Sequence, residues 1–386
     1  MKRAFCKIEL MKKFLPALIT IVCVILLCGC SQKNTQITTI EFASWGSKSE
    51  VDILKPILAD YEKENPNIKI NFMHIPQNYF QKIHLLFASN TAPDVIFINN
   101  LYLPIYANAG MLEELQPSKE FFPQALDALS WNGKLYAIPR DVSNLVVYYN
   151  KDLFDKKKVA YPSAEWTFAD FLKTAQTMTD KTTFGVSFEE EPLFYLPYLM
   201  SNGGGFLPQE LATSASQKSL DFYADLRNKY HVAPQKAESA SATMGQMFLQ
   251  GKLAMYISGR WVIPKFRKDA EFDWDIAPFP KGKVGSIVPL DASGWAIAKS
   301  SKHKEEAKNF VKYLASKENS EKFATSGLIV PARIDSANKI VDGQKPKNSK
   351  VFLDVIKTSK PTPVTVNYRE ITDNLKKSME KRFNNH

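Results

Sequence analysis

The sequence predicts an α/β protein built on a parallel sheet and divided into two domains. Three observations predict it. Strand-period and helix-period patterns alternate from Thr38 onward. One strand segment, Asp94-Val95-Ile96-Phe97-Ile98, is almost wholly apolar, as a strand covered on both faces must be. And 386 residues exceed what one hydrophobic core usually organises.

The elements follow in order. Thr38 to Phe42 reads as a strand at the two-residue period, and Val51, Leu54, Leu58 and Tyr61 then recur at helical spacing. Pro56 lies inside that helix and predicts a kink, while Asn65-Pro66 ends it. Ile68 to Phe72 is a second strand, Tyr79 to Ser89 a second amphipathic helix, and Asp94 to Ile98 the third strand. Further along, Leu145 to Tyr149 reads as a strand, and Phe168 to Met178, Ser216 to Tyr230, Lys304 to Ala315 and Ile371 to Arg382 as helices. Neither an internal repeat nor a low-complexity segment interrupts the pattern.

Ahead of the first strand lies a leader. Lys12 and Lys13 precede an uncharged apolar run, Phe14 to Leu27, which is short for a bilayer span of about 20 residues. Leu27-Cys28-Gly29-Cys30 ends it and resembles a lipobox, in which the cysteine thiol receives a diacylglycerol and Gly29 supplies the small residue before the cut. The reading is a lipoprotein signal over 1–29 and a polar, lipid-anchored tether over 30–37, with Cys30 as the lipidation site. A start at Met11 would also leave a complete signal. The product is expected to be exported and held at the outer face of the cell membrane or in the periplasm. The four cysteines are Cys6, Cys23, Cys28 and Cys30, so the chain beyond Cys30 has no internal disulfide, cysteine zinc site or cysteine nucleophile.

The formal charge is +10, and the leader carries five cations against Glu9, which leaves +6 on residues 30–386. Lysines are interspersed with acids, as in Lys302 to Glu306, which describes solvated faces, and export argues against nucleic acid as a partner. An apolar content of 45% excludes disorder.

Several segments resemble the family 1 extracellular solute-binding proteins. They are Glu62 to Ile70, Ala88 to Val95, Asn132 to Asp141, Tyr148 to Phe154, Phe248 to Met255 and Ser293 to Ile297, in that order, over roughly residues 38 to 335. Ser187 to Gln209 departs most. The resemblance implies a two-lobed, periplasmic-binding-protein-like α/β fold with crossing hinge strands and a ligand cleft between the lobes. The crossings are placed near Arg140 to Tyr149, near Ser286 to Gly294 and after Val330. That gives an N-lobe of 38–145 and 286–332 and a C-lobe of 146–285 and 333–386. The implied function is the substrate-binding component of an ABC importer, which hands a mono- or oligosaccharide to the permease, acts as a monomer, and uses no metal or cofactor. An exported carbohydrate hydrolase and a binder of glycerol phosphate or another polyol are the alternatives.

A sugar offers apolar CH faces and rings of hydroxyls, so its site needs aromatic platforms beside short polar groups. Trp45, Asn99 and Asn100 follow predicted strands. Trp261 follows Gly259-Arg260, and Trp295 follows Ser293-Gly294. Arg140 and Asp141 sit at the first crossing and could donate and accept; Asn202 and Gly203 open a glycine run that could present backbone amides. Trp131, Trp166 and Trp274 read as packing residues, Glu189 to Glu191 as a solvated acidic loop, and Arg333 as either structural or an anion contact. For catalysis, the chain has no Gly-x-Ser-x-Gly elbow, no His-Glu-x-x-His and no phosphate loop, and its five histidines stand in no catalytic context.

Overall fold

A computed structural model describes residues 37–384, so the signal, Cys30 and the tether up to Gln36 lie outside the described residues. The strands gather into two principal sheets, one in each of two lobes. The larger runs in the order Val330–Pro331, Ile138–Ser143, Pro289–Ile297, Val95–Asn99, Thr38–Ser44, Ile68–His74, with Lys360–Pro361 beside the start of Pro289–Ile297. The smaller runs Trp274–Ala277, Val146–Asn150, Leu253–Ser258, Phe184–Val186.

The predicted parallel sheet holds for the first three strands, which pair in parallel. Phe184–Val186 with Leu253–Ser258, and Lys360–Pro361 with the start of Pro289–Ile297, are also parallel, but the strands that cross between the lobes are not. Pro289–Ile297 is antiparallel to Val95–Asn99 and to Ile138–Ser143, and Val146–Asn150 is antiparallel to both its neighbours. Those strands enter a sheet on the way from the other lobe, and the returning direction is reversed. Only Asn144 and Leu145 separate Ile138–Ser143 in the large sheet from Val146–Asn150 in the small one, so the first crossing is short.

The helix Lys48–Glu64 shows how local sequence sets up the cleft. A Ser47–Glu50 capping box satisfies its first amides, and Val51, Leu54, Ile57, Leu58 and Tyr61 bury one face. Pro56 does not interrupt it: the residue is on the solvent face, where water can serve the carbonyl that loses its partner. The divergent stretch after Ser187 folds as a helix, Pro192–Ser201, buried along most of its length. Trp166 and Trp274 are buried, and half-buried Trp131 donates to Asn108, in keeping with packing roles.

Candidate ligand-binding cleft

Parallel strands aim their carboxyl ends at one edge of a sheet, the edge where α/β proteins bind ligands. Trp45 directly follows Thr38–Ser44, and Asn99 ends Val95–Asn99. The crossing strands Ile138–Ser143, Pro289–Ile297 and Val330–Pro331 make a floor beside them. From the other lobe, Arg260 and Trp261 follow Leu253–Ser258. Together they enclose a hinge-end cavity of about 270 Å³ lined by Trp45, Glu50, Asn99, Arg140, Asp141, Ser143, Trp261, Asp291 and Ser293, among others.

The two tryptophans are the exposed apolar surface of this cavity, Trp45 at 45% and Trp261 at 41%. Trp45 leans on Phe97, ring centroids 5.9 Å apart. Trp261 lies against its own chain: a Cβ on Gly259 would stand 1.9 Å from the indole. The Gly-Arg-Trp order is thus a packing requirement, with glycine leaving the space that the ring occupies.

Arg140 and Asp141 form the polar floor, and much of their bonding capacity is already used. Arg140 is buried; its Nε donates to Asp141 Oδ1 at 2.6 Å and its Nη2 to Glu50 Oε1 at 3.2 Å. Burial alone would lower its pKa, but Asp141 and Glu50 together hold it above the ordinary value. Its guanidinium also faces the rings of Phe97 and Trp295. Asp141 Oδ1 further accepts from Ser293 Oγ at 2.6 Å, which joins the first crossing strand to the second. Half-buried Asp291 has its pKa raised by the desolvation of its carboxyl, against the opposing bonds from Thr362 and Asn100.

Four of the residues proposed from sequence do not reach this cavity. Trp295 has no exposed surface; it sits between Phe42 and Phe97 as a core residue. Asn100 is likewise buried, and it clamps the end of its strand to the crossing strand by donating to Asp291 and accepting from the amide of Ala292. Asn202 caps Pro192–Ser201, with Gly203 at φ +78° completing the turn; the amides of Gly203 and Gly204 go to Met200 and Leu199. The amides expected to meet a ligand thus satisfy a helix end. Arg333 is also committed, to Glu120, Asp335 and the carbonyl of Ala315.

Trp45 and Asn99 also line an adjoining space of about 330 Å³ with Phe80 and Tyr102, whose rings stack at 3.8 Å. Phe80 and Tyr102 in turn line an outer chamber of about 840 Å³, bounded on the far side by Glu191, Pro192, Leu193 and the first turns of helix Tyr368–Phe383. Sequence reasoning missed Phe80, Tyr102 and Tyr368. Tyr102 lay three residues past the candidate Asn99 and could have been found there; Tyr368 comes from the far end of the chain and carried no local signal. Glu191, read as part of a solvated loop, lies on the cleft and pairs with Lys376 at 2.6 Å. Among the described residues no cluster of side chains suits a metal ion, and no helix is long and apolar enough to cross a membrane.

This is the architecture of a two-lobed binding protein, with its site between the lobes. The chain belongs to the bacterial extracellular solute-binding protein family, whose model matches residues 46–321. It is 26% identical over 340 residues to the maltodextrin-binding protein MdxE of Bacillus subtilis, covering 81% of this chain and 78% of that one. It is 24% identical to the galactooligosaccharide-binding protein of the same organism, over 86% and 82% of the two chains. Among solved structures, the ABC substrate-binding protein Lmo0181 of Listeria monocytogenes, in complex with cycloalternan, matches with a TM-score of 0.81 and 26% identity, covering 90% of this chain and 94% of that one. Maltose-bound MalE3 of T. maritima shares the fold at a TM-score of 0.75 and 22% identity, over 90% and 94%. These relatives are binding proteins.

Proposed function

We propose that this protein is the substrate-binding component of an ABC importer, capturing a mono- or oligosaccharide between its lobes and delivering it to the permease. The observation that carries the reading is the pairing of Trp45 from one lobe with Trp261 from the other across a polar floor. Half-exposed indoles match the apolar faces of a sugar ring, and Asn99, Asp141 and Ser143 match its hydroxyls. The relatives named for maltodextrin and galactooligosaccharide binding support the same class.

In this reading the N-lobe is 38–145 with 286–332 and the C-lobe 146–285 with 333–386. The protein works as a monomer and is exported. It is held at the membrane by acyl chains on Cys30, two of which suffice for stable attachment where one is marginal. Titration of tryptophan fluorescence with a panel of mono- and oligosaccharides tests the function: saturable binding that leaves the sugar chemically unchanged is expected. Conversion of the sugar would point to an enzyme instead, and no response across the panel would remove the sugar reading. Labelling with a radioactive fatty acid, lost in Cys30→Ser, tests the anchor.

A further inference from the structure

We infer that Asp291 reads one hydroxyl of the ligand at the hinge end: its carboxylate oxygen Oδ2 accepts from that hydroxyl, and Ser143 Oγ donates to the same hydroxyl's oxygen. The inference rests on the sugar reading of the cavity and adds to it a residue that determines specificity.

The register of the two crossing strands sets up the pair. Ser143 stands opposite Asp291, and Asp141 opposite Ser293. Residues two apart on a strand share a face, so these are two adjacent aspartate–serine pairs, and all four residues line the hinge-end cavity. The fold uses the two pairs differently. Asp141 Oδ1 accepts from Ser293 Oγ and from Arg140 Nε, each at 2.6 Å, and so ties the strands together. Asp291 Oδ1 also has two donors, Thr362 Oγ1 at 2.7 Å and Asn100 Nδ2 at 3.1 Å, but neither is its serine. Among the described residues nothing donates to Asp291 Oδ2, Ser143 Oγ has no partner, and both atoms keep accessible surface.

Charge separates the pairs as well. Arg140 answers the carboxylates of Asp141 and Glu50. Among the described residues no lysine or arginine pairs with Asp291; its two donors are neutral, and desolvation of its carboxyl raises its pKa. An ionised carboxylate can only accept, and one short of donors gains from a donor that the ligand brings. A sugar hydroxyl gives its proton to Asp291 Oδ2 and takes the proton of Ser143 Oγ on its own oxygen. The ligand must therefore carry that hydroxyl free. Methylation or a glycosidic bond at that position would remove the proton that Asp291 accepts.

The test is calorimetric titration of the mature chain with the sugar panel, maltose and lactose included, and with the monodeoxy derivatives of each sugar that binds. Asp291→Asn keeps an oxygen for Thr362 and Asn100 but turns a donor toward the ligand. Its urea midpoint should stay near that of the parent, while its affinity for every bound sugar falls about tenfold or more. Ser143→Ala removes no bond of the fold and should lose about threefold. One deoxy position should cost the parent about as much as Asp291→Asn does, and the sugar lacking that hydroxyl should bind parent, Asp291→Asn and Ser143→Ala nearly alike. Unchanged affinity in Asp291→Asn, or a loss that no deoxy position shares, overturns the inference and leaves the sugar reading standing. If Asp291→Asn does not fold, the coupling of Ser143→Ala to a single deoxy position decides in its place. If no sugar binds the parent, both readings fall together.

Discussion

A methyl group on Gly259 would stand 1.9 Å from the indole of Trp261. The ring that faces the cleft therefore depends on a residue with no side chain two positions earlier. Gly259→Ala should push the indole out of place and weaken sugar binding about tenfold or more, with Trp261→Ala at about thirtyfold, near the 2 kcal/mol of a well-placed aromatic contact. Calorimetric titration reads both. Equal affinity in Gly259→Ala and parent would show that the ring's position does not matter to the ligand.

The tryptophans should separate by role. Trp295 is fully buried among Phe42 and Phe97, so Trp295→Ala should cost about 3–5 kcal/mol of stability. Trp45 is 45% exposed, so Trp45→Ala should leave the urea midpoint close to that of the parent and lower affinity instead. Denaturation curves and titrations on the two variants must give opposite patterns.

Asp141 accepts from both Arg140 and Ser293. Removing it leaves a buried guanidinium with Glu50 as its one remaining carboxylate, at the junction of two crossing strands. Asp141→Ala should cost about 3 kcal/mol in urea unfolding, and Asp141→Asn, which keeps an acceptor oxygen, should cost less. A variant as stable as the parent would show that the floor does not hold the crossing strands together.

Burial, reinforced by Glu191 and Glu190, pushes the Glu189 carboxyl up to about 7. A folded pKa above the unfolded one favours folding while the group is protonated. That contribution is complete below the ordinary glutamate range and is lost as pH rises through about 7. Glu189→Gln copies the neutral form at every pH. Its melting temperature should match the parent near pH 4.5 and exceed it at pH 8. A difference that does not change with pH would rule this out.

Ligand should also close the lobes. Trp45 and Trp261 come from different lobes, so a sugar that touches both binds the closed form better, and that preference shifts the population. Solution scattering should show a smaller radius of gyration at saturation. An unchanged curve with bound ligand would show a cleft that does not move.

What the sequence determined by itself was local or periodic. The Ser47–Glu50 cap and the apolar stripe set the helix Lys48–Glu64, alternation and apolar runs set the first three strands, and residues that end parallel strands, Trp45 and Asn99, stand on the cleft because strand ends share one edge. Gly259-Arg260-Trp261 could be read in the same way. Tertiary structure decided which of those residues remained free. Asn100 follows a strand just as Trp45 does, and Trp295 lies within one, but Trp295 is enclosed by two phenylalanines and Asn100 is held by Asp291 and Ala292, partners nearly two hundred residues away. The glycine run after Ser201 served a helix end. Tyr368 reached the cleft only because its helix packs beside Pro192–Ser201 and Ser214–Asn228. Burial and hydrogen-bond satisfaction are properties of the neighbours a residue acquires on folding, and spacing along the chain does not name those neighbours.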